Sequence, residues 1–290
     1  MKRLLILTLL ASPIMARSAR AQEGPYFVTY AQHLEEPGNL ELAGSSTIGI
    51  PRAGEPGFFA PYTEIEYGVK AWWTSELYVE GLSRRSDSTI LTGYRWENRF
   101  RPLRREHRIN PVLYLEYESL NEASRIQKEI VGHAVSFDEP NSELRREHVH
   151  ELETKLILGS TVRDWNISEN FIAEKNLSAS EGVEFGYAFG IARSLGTLAS
   201  GSNCRFCREN FLAGVEVYGG LGSTQQFGFR DTAHYIAPLL SWQLSDRTVL
   251  RISPGFGLTR ASAPVLLRIG YSYEVHGFGR KLAALFRGGQ

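Results

Sequence analysis

Cysteine is nearly absent: two residues in 290, both within Cys204-Arg205-Phe206-Cys207. So few thiols exclude a small domain framed by disulfides, and without a second C-x-x-C a four-thiolate zinc site is excluded too. Arg208 follows the pair where a haem-attachment motif would need histidine. In an oxidising compartment the bland expectation is a local disulfide between Cys204 and Cys207. Long apolar runs are equally scarce. Beyond the first residues, nothing approaches the roughly 20 apolar residues of a membrane-crossing helix. The formal net charge is +0, so no basic surface recruits nucleic acid. There is no G-x-S-x-G, and Gly219-Gly220-Leu221-Gly222 is not followed by a helix that would make it a phosphate loop. Ser and His occur together no more than chance allows. No catalytic residue and no cofactor is expected.

What the N-terminus does contain is MKRLLILTLLASPIMARSARAQ, with Lys2 and Arg3, a short apolar stretch, and Ala19-Arg20-Ala21. That order is a secretory signal peptide, residues 1–21, with cleavage before Gln22. Its removal takes four basic residues and no acid, leaving 28 basic against 32 acidic side chains. No Pro/Ser-rich linker or compositional break divides the rest, which reads as one domain.

Alternation with period two runs through almost all of that domain, and the 3.6-residue period of amphipathic helices is nearly missing. Twelve strands are predicted: Asn39–Ile50, Tyr62–Trp73, Glu76–Arg84, Thr89–Arg101, Pro111–Ser119, Val149–Val162, Trp165–Leu177, Gly182–Arg193, Phe211–Gly222, Thr232–Leu244, Thr248–Thr259 and Val265–Val275. Most are longer than the five or six residues usual in soluble proteins. They match the roughly nine to eleven of a tilted membrane strand.

The faces are as telling as the lengths. Ile65, Tyr67 and Val69 alternate with Glu64, Glu66 and Lys70, and Leu77 and Val79 with Glu76 and Glu80. Arg95, Glu97 and Arg99 oppose Tyr94 and Trp96; Glu116 and Glu118 oppose Leu115 and Tyr117; Glu151, Glu153 and Lys155 oppose Leu152 and Leu156. Arg268 and Glu274 oppose Ile269 and Tyr273. In "EGVEFGYAFGIAR", Val183 to Ile191 supply an apolar face while Glu184, Gly186, Ala188 and Gly190 lie opposite, the small residues leaving room for longer side chains of neighbouring strands. These charged residues are assigned to the lumen lining, and the apolar ones to lipid.

Connection lengths agree with an outer-membrane barrel, in which short turns alternate with longer external loops. Thr74-Ser75, Arg163-Asp164 and Ser245–Arg247 read as the short turns, and Leu120–His148 as the longest external loop. Aromatics gather toward strand ends, as interfacial girdles do. The expected fold is therefore all-β: a transmembrane up-and-down antiparallel β-barrel of about twelve strands over 39–275, preceded by a periplasmic segment 22–38 and followed by a periplasmic tail 276–290. A glutamate-rich lumen predicts either a cation-preferring passage or a salt-bridge lattice that closes it. His148 and His150 share one face and offer two metal ligands, too few to define a site, so no metal is assigned. Leu282, Leu285 and Phe286 fall on one side of a short amphipathic turn in the tail.

"LEEPGNLEL" at Leu34–Leu42, with the later "EYGVKAWWTSELYVEG" and "GYRWENRFR", resembles a family of Gram-negative outer-membrane β-barrel proteins. That family is distantly similar to the outer-membrane proteins of the meta-cleavage pathway of phenol degradation. The resemblance implies an uptake channel and assigns no binding residue. The expectation is a monomeric outer-membrane channel for passive diffusion of small polar or organic solutes, with lipid as its constant partner. The other reading is a closed structural barrel whose external loops bind a partner.

Overall fold

The computed structural model describes residues 24–50, 52, 54, 56–85, 87–124, 131–133, 140–196 and 210–287. The strands are β1 Leu40–Ile50, β2 Phe58–Lys70, β3 Trp73–Arg84, β4 Thr89–Phe100, β5 Asn110–Asn121 and β6 His148–Val162. They continue as β7 Trp165–Asn176, β8 Val183–Ser194, β9 Phe211–Ser223, β10 His234–Ser245, β11 Thr248–Gly257 and β12 Val265–Val275. Each pairs antiparallel with its sequence neighbours, and β1 closes on β12. Helices are few: a 3₁₀ turn Glu122–Ser124, α1 Asn141–Leu144 and α2 Phe278–Arg287. No described helix is long and apolar enough to cross a membrane.

The two-residue period places charge inside and apolar surface outside. In β2, Glu64 and Glu66 are buried at 4% and 2% exposure, while Ile65 between them is 47% exposed. Leu77, Trp96, Leu113, Leu115, Phe171 and Ile269 are exposed in the same way on their strands. Closure removes the free sheet edge that hydrocarbon forbids, since each unpaired backbone group there costs several kcal/mol.

One end of the barrel carries two-residue turns at Ala71-Trp72, Arg163-Asp164 and Asp246-Arg247. Arg163 and Asp164 both adopt positive φ, 49° and 66°, as a tight hairpin turn requires. The opposite end carries the longest connection, between Asn121 and His148. Thr74-Ser75 is not a turn: Thr74 is fully buried, pairs with Arg99, and belongs to β3. The chain reverses earlier because Trp72 and Trp73 stack on Phe100 at the rim, with centroids 6.1–6.3 Å apart. Ser75 is polar for another reason, accepting the Trp96 indole N–H at 3.0 Å.

Both mouths are occupied by the chain itself. Residues 24–37, part of the segment 22–38 expected from the sequence to be periplasmic, loop into the barrel and leave it at the short-turn end. Tyr26, Val28, Ala31 and Leu34 are buried against strand residues such as Ala188, Ala192 and Val112. At the other end the longest loop turns inward, and Ala123 and Leu144 pack with Phe58 and Leu82. A Cβ built on Gly220 would meet the Gly132 carbonyl oxygen at 2.2 Å, so this loop lies directly over the inner face of β9.

Candidate functional site

Strand register turns scattered glutamates into a single row. Glu274 lies opposite Glu41, Glu41 opposite Glu66, Glu66 opposite Glu76 and Glu76 opposite Glu97. Glu97 then faces Glu116, Glu116 faces Glu153, Glu153 faces Glu174, and Glu174 faces Glu184. Strands in a barrel tilt against its axis, so a row running square to them climbs. It starts at Glu274, next to the short-turn end of β12, and finishes at Glu184, one residue into β8 from the long-loop end.

Like charges directly opposite one another destabilise a sheet, so such a row needs cations. Arg99 ion-pairs with Glu76, with Glu66 at 2.7 Å and with Glu97 at 3.0 Å. Arg95 reaches Glu80 and, at 3.0 Å, Glu116. Lys155 holds Glu153 at 2.8 Å. Arg99, Tyr114 and Lys155 are themselves cross-strand neighbours, one step along the strands from the glutamate row. Three carboxylate trios bring ligand oxygens within 4.8 Å of one another: Glu64-Glu66-Glu76, Glu116-Glu118-Glu153 and Glu118-Glu151-Glu174. Wall cations already stand on Glu66, Glu76, Glu116 and Glu153.

Most of the lumen residues assigned from the sequence lie on this inner face. Glu64, Glu66, Glu76, Glu80, Glu97, Arg99, Glu116, Glu118, Glu151, Glu153, Lys155 and Arg268 are buried. Arg95 is 12% exposed, and Glu274, also 12% exposed, accepts from Asn39 at 2.6 Å and pairs with His276. Glu184 is half-buried. Lys70 differs: it is exposed, because the β2–β3 register shifts between Gly68 and Lys70 and parity no longer carries inward. His148 and His150 are exposed, and His150 stacks on Tyr117 with its Nδ1 2.9 Å from the Tyr117 hydroxyl. Cys204 and Cys207 lie outside the described residues.

The N-terminal loop fastens to wall groups that sequence reading passed over. Glu216 accepts from the backbone N–H groups of Phe27, Val28 and Thr29 at 3.1, 2.9 and 2.7 Å. Asn170 clasps Tyr30 from both sides: its Oδ1 accepts from the Tyr30 N–H at 2.6 Å and its Nδ2 donates to the Tyr30 carbonyl at 2.9 Å. Arg251 donates to the carbonyls of Gly24 and Tyr26, each at 3.2 Å. The loop also enters the charge lattice. The Tyr30 hydroxyl donates to Glu97 at 2.9 Å, and Lys155 lies 4.4 Å from the Tyr30 ring centre. Burial, then the Glu97 carboxylate, push the Tyr30 phenol well above its usual value, which keeps it a neutral donor.

The room left by small residues on β8 goes to the two inserted loops, not to side chains of adjacent strands. A Cβ on Gly190 would sit 2.6 Å from the Tyr26 ring, while Gly186 bridges to Val131 of the longest loop. A cavity of about 130 Å³ remains between the loop and the wall, lined among others by Tyr62, Glu64, Tyr78, Glu80, Arg95 and Arg268. Where the loop leaves the lumen, Gly38 N–H donates to Gly68 O and Gly68 N–H to Asn39 O. Glu35 is buried there, and desolvation, followed by the charge of Glu274, pushes its carboxyl up to about 8.

A closed twelve-stranded wall, an apolar exterior and a charged interior invite comparison with known barrels. A crystal structure of an outer membrane channel from Pseudomonas putida F1 aligns with a TM-score of 0.54 and 10% identity, over 88% of this chain and 100% of that one. The KdgM porin in complex with disordered oligogalacturonate aligns with a TM-score of 0.50 and 10% identity, over 82% of this chain and 99% of its own. The fold this chain shares with them is a closed antiparallel β-barrel. No protein-family model matches the chain, and no curated protein sequence matches it. The resemblance to the phenol-degradation proteins therefore rests on the sequence patterns alone.

Proposed function

We propose that this protein is an outer-membrane channel for passive diffusion of small polar or organic solutes, cations in preference to anions, and that residues 24–37 hold it closed. The leader, the lipid-facing belt and the short-turn end facing the periplasm fit that location, and a monomer is sufficient because one chain closes the barrel. The observation that carries the reading is the row of nine glutamates rising from one mouth to the other. Acidic rings favour cations in pores. Among the described residues 13 glutamates are buried against five arginines and lysines, with Arg95 close behind. Such a lumen repels a polyanion of the kind bound to KdgM, so an acidic oligosaccharide is a poor cargo.

The competing reading is a structural barrel whose external loops recruit a partner. The inward turn of Ala123 and Leu144 argues against it, because that loop narrows a mouth more than it offers a surface. Planar-bilayer recording separates the two. The full chain is expected to show rare or small openings, and a variant lacking residues 24–37 sustained conductance. A deletion variant that folds, migrating faster on a gel unless boiled, yet stays silent at every voltage would replace the channel by the structural barrel.

A further inference from the structure

Helix α2 ends the described chain on the outside of the barrel. Phe278 meets the ring of Tyr67 edge-on at 6.4 Å. Tyr67 shares the outward parity of Ile65, 47% exposed, two residues away on β2. The first turn is fixed to the rim: Gly279 N–H donates to the Gly38 carbonyl at 2.9 Å, and Gly277 N–H donates to Asn39 Oδ1 at 2.8 Å. From that anchor, Leu282, Leu285 and Phe286 share a stripe with Phe278 at helical spacing. They are 40%, 75% and 76% exposed, with no described side chain covering the last two. Arg280, Lys281 and Arg287 are the charged residues of the helix, and it contains no acid. Its end of the barrel is also the end where Trp72 and Trp73 stack on Phe100.

An apolar stripe that continues a lipid-facing belt, on a helix with only positive charge, fits a bilayer interface. We propose that α2 is an interfacial anchor, lying in the headgroup layer of the leaflet at the short-turn rim and bound to anionic phospholipid. Leu282, Leu285 and Phe286 enter the boundary between headgroups and acyl chains, and Arg280 and Lys281 meet phosphate. The inference rests on the reading that the barrel crosses a membrane. It assigns the tail a lipid-binding role independent of any conduction.

Spin-label depth in the full-length protein tests it. In a Cys204→Ser, Cys207→Ser background, single cysteines at 281, 282, 284, 285 and 286 carry the label, with Leu115→Cys and Ile269→Cys as belt controls. The barrel is reconstituted in phosphatidylethanolamine vesicles with or without phosphatidylglycerol. Labels at 282, 285 and 286 are expected to favour oxygen over an aqueous nickel chelate, at a depth of about 5–10 Å, with 281 and 284 remaining aqueous. Omitting phosphatidylglycerol, or combining Arg280→Gln with Lys281→Gln, is expected to cut that preference by roughly tenfold. Belt labels in lipid with a uniformly aqueous helix would overturn the anchor alone. Aqueous belt labels would overturn the membrane barrel with it. Dipolar broadening between helix labels, with neither probe admitted, would replace lipid by a second copy of the chain.

Discussion

The carboxylate of Glu216 meets three consecutive N–H groups at the tip of the N-terminal loop, a geometry that favours a charged acceptor because successive amide dipoles converge on it. Hydrogen bonds to an ionised group contribute about 1.5–3 kcal/mol each. Glu216→Gln keeps the shape and loses the charge. It is expected to weaken the loop by about 2 kcal/mol, read as roughly thirtyfold faster amide exchange at residues 27–29 while strand amides keep their protection. Unchanged exchange there would mean that apolar contacts of Tyr26 and Val28 hold the loop without it. Glu35 supplies a pH dependence. Its carboxyl is raised to about 8 in the fold by burial and by Glu274, with Glu36 and Asn39 also beside it, whereas an unfolded glutamate titrates near 4.3. The folded form thus holds its proton more tightly, so the contribution to docking is complete below about pH 4.3 and declines as pH rises to about 8. Protection factors of the loop amides, that is exchange corrected for its intrinsic base catalysis, should fall between pH 5, 7 and 9, and Glu35→Gln should flatten that fall. A fall that persists in the variant would move the effect to another group.

From β12 round through β1 to β8 every strand pair places glutamate opposite glutamate, so the lattice stands on very few cations. Arg99 alone touches Glu66, Glu76 and Glu97. Removing one partner from a buried ion network leaves uncompensated charge and costs about 3–5 kcal/mol. Arg99→Gln is expected to lower the unfolding free energy of the refolded barrel, measured by urea titration, by that amount, and adding Glu76→Gln to restore about half, since fewer carboxylates then need the missing cation. A double variant no better than the single would show that Arg99 acts by packing. The strands themselves were legible because parity is a local property: from Ile65 and Glu66 one knows which way Glu64 points. All twelve were foreseen, with ends displaced by a few residues. Glu174 escaped because Phe171 and Ile172 are both apolar and blur the parity just before it; Phe171 is 50% exposed and Ile172 is 2% exposed. Glu41 and Glu216 were readable, between Leu40 and Leu42 and between Val215 and Val217, but nothing local gave them a role. The glutamate row depends on register, a relation between strands. The destination of residues 24–37 depends on contacts more than 180 positions away.

Taken whole, the molecule is a cylinder with an apolar exterior whose interior carries a row of glutamates and two inserted pieces of its own chain. The longest loop narrows one mouth with an apolar cluster, and the N-terminal loop fills the other half with hydrogen bonds and ring contacts. Of the two, the N-terminal loop is the piece proposed to open: residues 24–37 leave the lumen at the short-turn mouth, and their tip is held chiefly by Glu216, Asn170 and Arg251. The most direct measurement is the reversal potential of the barrel lacking residues 24–37 in a planar bilayer under a tenfold potassium chloride gradient. A shift toward the potassium equilibrium potential, reduced when Glu41, Glu174 and Glu184 are changed to glutamine, is the predicted result. A potential at zero or displaced toward chloride, from a barrel shown to be folded, would contradict it.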